Sequence, residues 1–167
     1  MARPNQARLN LAALRSNLGL ARTLAPDSRI MAVVKANAYG HGSLVVAKEL
    51  APLADALAVA SIEEAIALRD AGVETAVLLL QGVFEAREIE QAAQYGLWVM
   101  VNTEQQLRWL EESTIKQPVG CWLKIRSAEH TSELQSPCNI VCRLLLGTKK
   151  SMFMSGYGLT KPRPTAE

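Results

Sequence analysis

Two rhythms of apolar and polar positions alternate along this chain. Apolar runs near Ile30–Val34, Ala56–Ala60, Ala76–Leu80, Leu97–Val101 and Val119–Ile125 have the length and branched side chains of buried strands. Between them, apolar residues recur at helical spacing and predict helices over Ser43–Leu50, Ile62–Ala71, Glu85–Gln94 and Glu104–Glu111. Ahead of the first run, Leu11, Leu14, Leu18, Ala21 and Leu24 repeat at the same spacing and predict a helix that Pro26 and Asp27 end. Residues 3–11 alternate polar and apolar, which predicts a short half-buried strand.

Strand and helix together take roughly twenty residues, and this repetition implies a parallel sheet with helices packed outside it. Val77-Leu78-Leu79-Leu80 is apolar on both faces, as a parallel strand covered on both sides must be. The punctuation agrees. Ser61 with Glu64 three residues later reads as a capping box, Asn102 or Thr103 as a helix cap, and Gly72 and Gly96 as the left-handed residues that close helices. Period and composition fit a flavodoxin-like open sheet as well as part of a barrel.

Composition narrows the class of partner. The chain has 167 residues, 49% of them hydrophobic and 20% charged, with a net charge of +2. That is a globular composition, too short for a closed eight-stranded α/β barrel of about 250 residues. The charge is too small to suggest a nucleic-acid partner, and no basic run is interleaved with aromatics. No stretch has the uninterrupted apolar length of a membrane span, and the first residues lack a secretory apolar core, so the expectation is a cytoplasmic protein without a membrane partner. Three cysteines, Cys121, Cys138 and Cys142, have no disulfide spacing. Cys138, Cys142 and His130 lack a fourth ligand and the spacing of a zinc finger, so no metal site is expected.

One stretch carries chemistry. The run Ile30–Val34 delivers Lys35 to its end, and Asn37, Gly40 and Gly42 supply a turn at once. A lysine at the C-terminal tip of a strand loses hydration, which disfavours its ammonium form and frees the amine to attack a carbonyl as a Schiff base requires. The plain alternative is a lysine extending from a strand end into water. Val34-Lys35-Ala36-Asn37-Ala38-Tyr39-Gly40-His41-Gly42 resembles, residue for residue, the cofactor-attachment motif of alanine racemases, fold-type III enzymes that use pyridoxal 5'-phosphate. Ala2-Arg3-Pro4 with Ala7–Leu11 before it, and Ser61–Ala65 with Leu68-Arg69 after it, resemble the same family's N-terminal half up to about Ile125.

The resemblance implies an α/β fold, a partial (β/α)8 TIM-type barrel of about five βα units over residues 1–125, followed by an irregular tail over 126–167. From Arg126 the family's pattern stops. The string from Arg126 to Leu146 resembles a translated short-read sequencing adapter, which implies that the tail is not biological sequence; a divergent C-terminal extension is the other reading. Gly156 and Gly158 form only a fragment of a phosphate loop and follow no strand.

For function, the resemblance implies that Lys35 binds pyridoxal 5'-phosphate covalently and acts as a base on one face of the substrate Cα, while Tyr39 contacts the cofactor phosphate. The opposite-face base would be a tyrosine of the partner subunit in a homodimer, outside this chain. The phosphate cup, built late in such barrels, is missing too. The substrate would be a small amino acid, L- or D-alanine, for cell-wall D-alanine biosynthesis, and this chain would be an inactive fragment of that isomerase. A racemase for serine or another small amino acid, and a non-catalytic carrier of the same cofactor, are the alternatives. Lys124 matches a barrel lysine that positions an arginine seven residues on, but Thr131 stands there, so that role is void. Glu63 and Glu64 begin a helix and read as structural, favoured by its dipole; His41 reads as a solvated loop histidine.

Overall fold

A computed structural model of the protein describes residues 8–124. The elements follow in the order α1 (Leu11–Leu24), β1 (Met31–Val33), α2 (Lys35–Tyr39), α3 (Ser43–Leu50), β2 (Ala56–Val59), α4 (Ile62–Asp70), β3 (Val77–Leu79), α5 (Arg87–Gln94), β4 (Trp98–Val101), α6 (Glu104–Glu112) and β5 (Gly120–Leu123). Five strands pair in parallel in sequential order, β1-β2-β3-β4-β5. A doubly wound sheet would reverse its order at a switch point. Sequential order with right-handed crossovers instead puts the connecting helices on one face, as in the wall of a barrel.

Alternation along the strands separates the two faces. Leu57, Val59, Val77, Leu79, Val99, Val101 and Cys121 join the helices' Val46, Leu50, Leu68, Ile89 and Leu110 in one core. The opposite face carries Val33, Ala58, Leu78, Trp98 and Gly120 in register. There Val33 stays 41% exposed, whereas Leu57 on the helix-covered face is sealed. Trp98 and Trp122 lie on this second face with ring centroids 5.8 Å apart. Gly120 makes room for them, since a Cβ on it would lie 2.6 Å from Trp98 Cδ1.

Gly72 and Gly96 do close helices, at φ +85° and +60°. Residues 8–10 differ from expectation. They form no strand; Asn10 caps α1 instead, its Oδ1 accepting from the Ala13 N–H at 3.0 Å. Alternation makes a strand only where a neighbour offers a ladder, and none of the described strands pairs with this segment. Residues 3–7 lie outside the described part, as does the tail from 126.

The N-terminal ends of the strands are tied by charged side chains. Arg69 donates to the carbonyls of Val73, Thr75, Tyr95 and Gly96, the residues leading into β3 and β4. Burial pushes its pKa down, and those carbonyls replace the water it gives up. Asp55 accepts from the Ile30 N–H at 2.8 Å and pairs with Arg22 of α1. Arg15 pairs with Glu49, fixing α1 against α3.

Candidate active site

The backbone does something unusual as it leaves β1. The Val34 N–H still bonds Ala58 O at 2.8 Å, and its side chain is sealed in the core. Lys35 follows, half-buried. Then Ala36, Asn37, Ala38 and Tyr39 take φ of 50°, 54°, 52° and 54°, a single left-handed turn without a glycine. Each L-residue held so costs about 1–2 kcal/mol against the right-handed form. The expectation of a turn here is right in place, but Lys35 opens a mirror-handed turn rather than ending the strand.

Such a conformation persists only when its surroundings over-determine it. Ala38 is buried in the core, and its N–H bonds Val34 O at 2.9 Å. Asn37 accepts three times: its carbonyl from the Gly40 N–H at 3.1 Å and the Gly42 N–H at 2.9 Å, its side chain from the Ser43 N–H at 2.8 Å. His41 Nδ1 lies 2.9 Å from Ala38 O, so this exposed histidine also braces the turn. Gly40 and Gly42, at φ +85° and +93°, carry the chain out of it into α3.

Glu64 of α4 completes the brace. One carboxylate oxygen accepts from the Ala36 N–H at 2.6 Å and the other from the Ala60 N–H at 2.8 Å, so a single side chain joins the exits of β1 and β2. This corrects the capping-box expectation. Ser61 makes no cap bond, its hydroxyl bonding Glu63 and holding that carboxyl below the usual range, while Glu64 reaches past the cap residue to Ala60. The same reach recurs: Glu88 accepts from the Phe84 N–H at 2.7 Å, and Gln106 from the Asn102 N–H at 2.7 Å. Gln106 also donates to Gln81 O and Val83 O, both at 2.9 Å, tying the exit of β4 to that of β3. Gly82, at φ +73°, fits beneath it; a Cβ there would lie 2.2 Å from Met100 O.

Sequence reasoning missed this series. Its signal was an acidic or amide side chain early in each of three helices, four residues after an amide that directly follows the strand at Ala60 and Asn102 and lies further along the loop at Phe84: Glu64, Gln106 and Glu88.

The structure brings Lys35 and Tyr39 into one turn, with Tyr39 62% exposed beyond the strand tip. Glu63 is exposed, and Glu64 faces the turn rather than solvent alone. Lys124 leaves β5, its N–H bonding Val101 O at 3.0 Å, at the far side of the sheet from β1. Thr131, the zinc candidates His130, Cys138 and Cys142, and the Gly156–Gly158 pair lie outside the described residues. Among the described residues no group of His, Cys, Asp and Glu is disposed to hold a metal ion, and no helix is long and apolar enough to cross a membrane. A shallow depression between α5 and the loop before β5, lined by Glu90, Gln94, Ile115 and Lys116, lies apart from the Lys35 turn.

Known proteins resemble this arrangement closely. Residues 9–130 match the family described as alanine racemase, N-terminal domain. An alanine racemase of Xanthomonas axonopodis pv. citri is 48% identical over 128 residues, which cover 77% of this chain and 35% of that protein. A catabolic alanine racemase of Pseudomonas aeruginosa is 44% identical over 128 residues, covering 77% and 36%. Among solved structures, the biosynthetic alanine racemase of Pseudomonas aeruginosa superposes with a TM-score of 0.75 at 33% identity, over 86% of this chain and 41% of that one. The enzyme from Acinetobacter baumannii gives 0.73 at 32% identity, over 85% and 41%. The chain thus spans about a third of the length of the curated relatives it matches.

Proposed function

The chain belongs to the family of alanine racemase N-terminal domains, and on that premise we propose that it is the cofactor-attaching part of a pyridoxal 5'-phosphate-dependent racemase. The reaction is the interconversion of L- and D-alanine, in the cytoplasm, supplying D-alanine for cell-wall precursors. What carries this reading is Lys35: a half-buried amine at the C-terminal mouth of a parallel sheet, on backbone fixed at both neighbours by the Val34 and Ala36 amides.

The residues present fit the aldehyde end of the cofactor. A half-buried primary amine, next to the sealed Val34 and on backbone held at the Val34 and Ala36 amides, offers the nucleophile that covalent attachment requires. Tyr39, exposed one turn further on, offers a hydroxyl donor for the phosphate. When bound, the cofactor withdraws electrons from Cα of an attached amino acid and makes its proton removable. Lys35 would hold the cofactor through its Nζ and, when not so engaged, would take or return that proton on one face. Racemisation needs a second base on the opposite face, which the partner subunit of a homodimer supplies.

The test is attachment. Incubated with pyridoxal 5'-phosphate and reduced with borohydride, the protein should carry the pyridoxyl group on Lys35 in preference to Lys48, Lys116 and Lys124, and Lys35→Ala should abolish that label. Labelling spread evenly over the lysines would overturn the proposal.

A further inference from the structure

We propose that Glu64 is the positioning residue of Lys35; the inference rests on the reading of Lys35 as the attachment residue. The Ala36 N–H belongs to the peptide that leaves Lys35, so whatever holds it sets the direction of the lysine's own Cα–Cβ bond. Glu64 Oε1 holds it at 2.6 Å, while Oε2 is anchored on the Ala60 N–H at 2.8 Å. Ala60 directly follows β2, whose Ala58 carbonyl receives the Val34 N–H. Lys35 is therefore clamped to one neighbouring strand exit from both sides.

A carboxylate suits this place because both facing groups are N–H donors and a carboxylate only accepts. An amide of the same shape presents one acceptor and one donor, so Glu64→Gln must lose one of the two bonds and set an NH2 against an N–H. The strained turn makes the site sensitive, since Ala36 is the first of four residues at positive φ. Released from Glu64, its peptide can rotate, and the lysine loses its fixed approach to the cofactor.

A control separates positioning from stability. Gln106→Glu commits the reciprocal mismatch at the exits of β3 and β4, facing an acceptor toward Gln81 O and Val83 O, without touching Lys35. In the full chain, pyridoxal 5'-phosphate attachment at Lys35, trapped by borohydride and mapped, is compared in the two variants at a temperature below both unfolding midpoints. Amide hydrogen exchange is followed at Ala36 in parallel. Glu64→Gln should weaken attachment about tenfold, the size of one lost charge-assisted bond, and speed exchange at Ala36. Gln106→Glu should leave both unchanged.

Equal loss in the two variants, or none in Glu64→Gln while the unaltered chain labels normally, overturns the positioning role alone. Absence of preferential Lys35 labelling in the unaltered chain overturns the attachment reading and this inference with it. Should Glu64→Gln not fold, Glu64→Asp serves in its place: it keeps the charge but cannot span both amides, and it must show the same selective defect.

Discussion

At the exits of β1 and β2 the side chain that ties the strands is a carboxylate, Glu64; at the exits of β3 and β4 it is an amide, Gln106. Both stand third in their helices and both reach back to the N–H four residues earlier. What differs is the neighbour. The left-handed turn after β1 points an N–H at Glu64, whereas the tight loop at Gly82 points two carbonyls at Gln106. A second acceptor serves the first case and a donor the second, so the choice of Glu or Gln follows from backbone conformation one strand away. Burial follows the same division: Gln106, neutral, is sealed, and Glu64, charged, keeps partial contact with water.

The largest way to break this pairing is at Gly82. Gly82→Ala places a methyl 2.2 Å from Met100 O and 2.6 Å from Gln106 Nε2, on backbone at φ +73°. It should lower unfolding stability in urea by about 3 kcal/mol or more, and a loss under about 1 kcal/mol would mean the loop is not held as described. Gln106→Glu comes next. It leaves Gln81 O and Val83 O facing a buried carboxylate, and about 2–3 kcal/mol should be lost in the same measurement. Raising the loss with pH, as the new carboxylate ionises, would identify charge rather than shape as the cause.

A finer comparison uses the cap residues. Thr103 accepts from the Gln106 N–H at 3.3 Å, whereas Ser61 makes no cap bond. Thr103→Ala should therefore cost about 1 kcal/mol and Ser61→Ala less, a ranking that equal midpoints would refute.

The smallest effect is expected at the other end of the sheet, remote from both exits. The Ile30 N–H, with the Arg22 charge beside it, lowers the Asp55 pKa against a weaker opposing effect of burial. A carboxyl depressed in the folded state contributes stability above its unfolded pKa and loses it as pH falls through the folded value. The thermal midpoint should thus drop as pH is lowered below about 4, and Asp55→Asn should flatten that drop in part, Glu63, lowered by its Ser61 bond, acting in the same direction. An acid slope unchanged by Asp55→Asn would count against this assignment.

Much of the frame was legible in the chain because it is written in local terms. Strand runs, helical spacing and the closing glycines Gly72 and Gly96 each depend on a few neighbouring residues, and all five strands and the five longer helices appear within one to two residues of their expected limits. The exceptions depend on distant partners. Alternation at residues 8–10 met no strand to pair with among the described residues, and Asn10 turned to capping. Glu64 read as a helix-dipole residue because its function in the fold, acceptance from Ala36, spans 28 positions. Lys35 was legible through its motif, but the handedness of the turn beyond it was not, since Ala36, Asn37 and Ala38 carry no local preference strong enough to demand it.

That turn has a consequence for portability. Removed from the protein, the segment from Lys35 to Tyr39 would revert to the handedness its L-residues prefer, because Glu64, Asn37's grip on Ser43 and the buried Ala38 would no longer oppose it. The motif is therefore not a module that can be grafted with its shape intact. Its geometry is stored in the neighbouring strand and helix, and a designer moving Lys35 to another sheet would have to move α4 along with it.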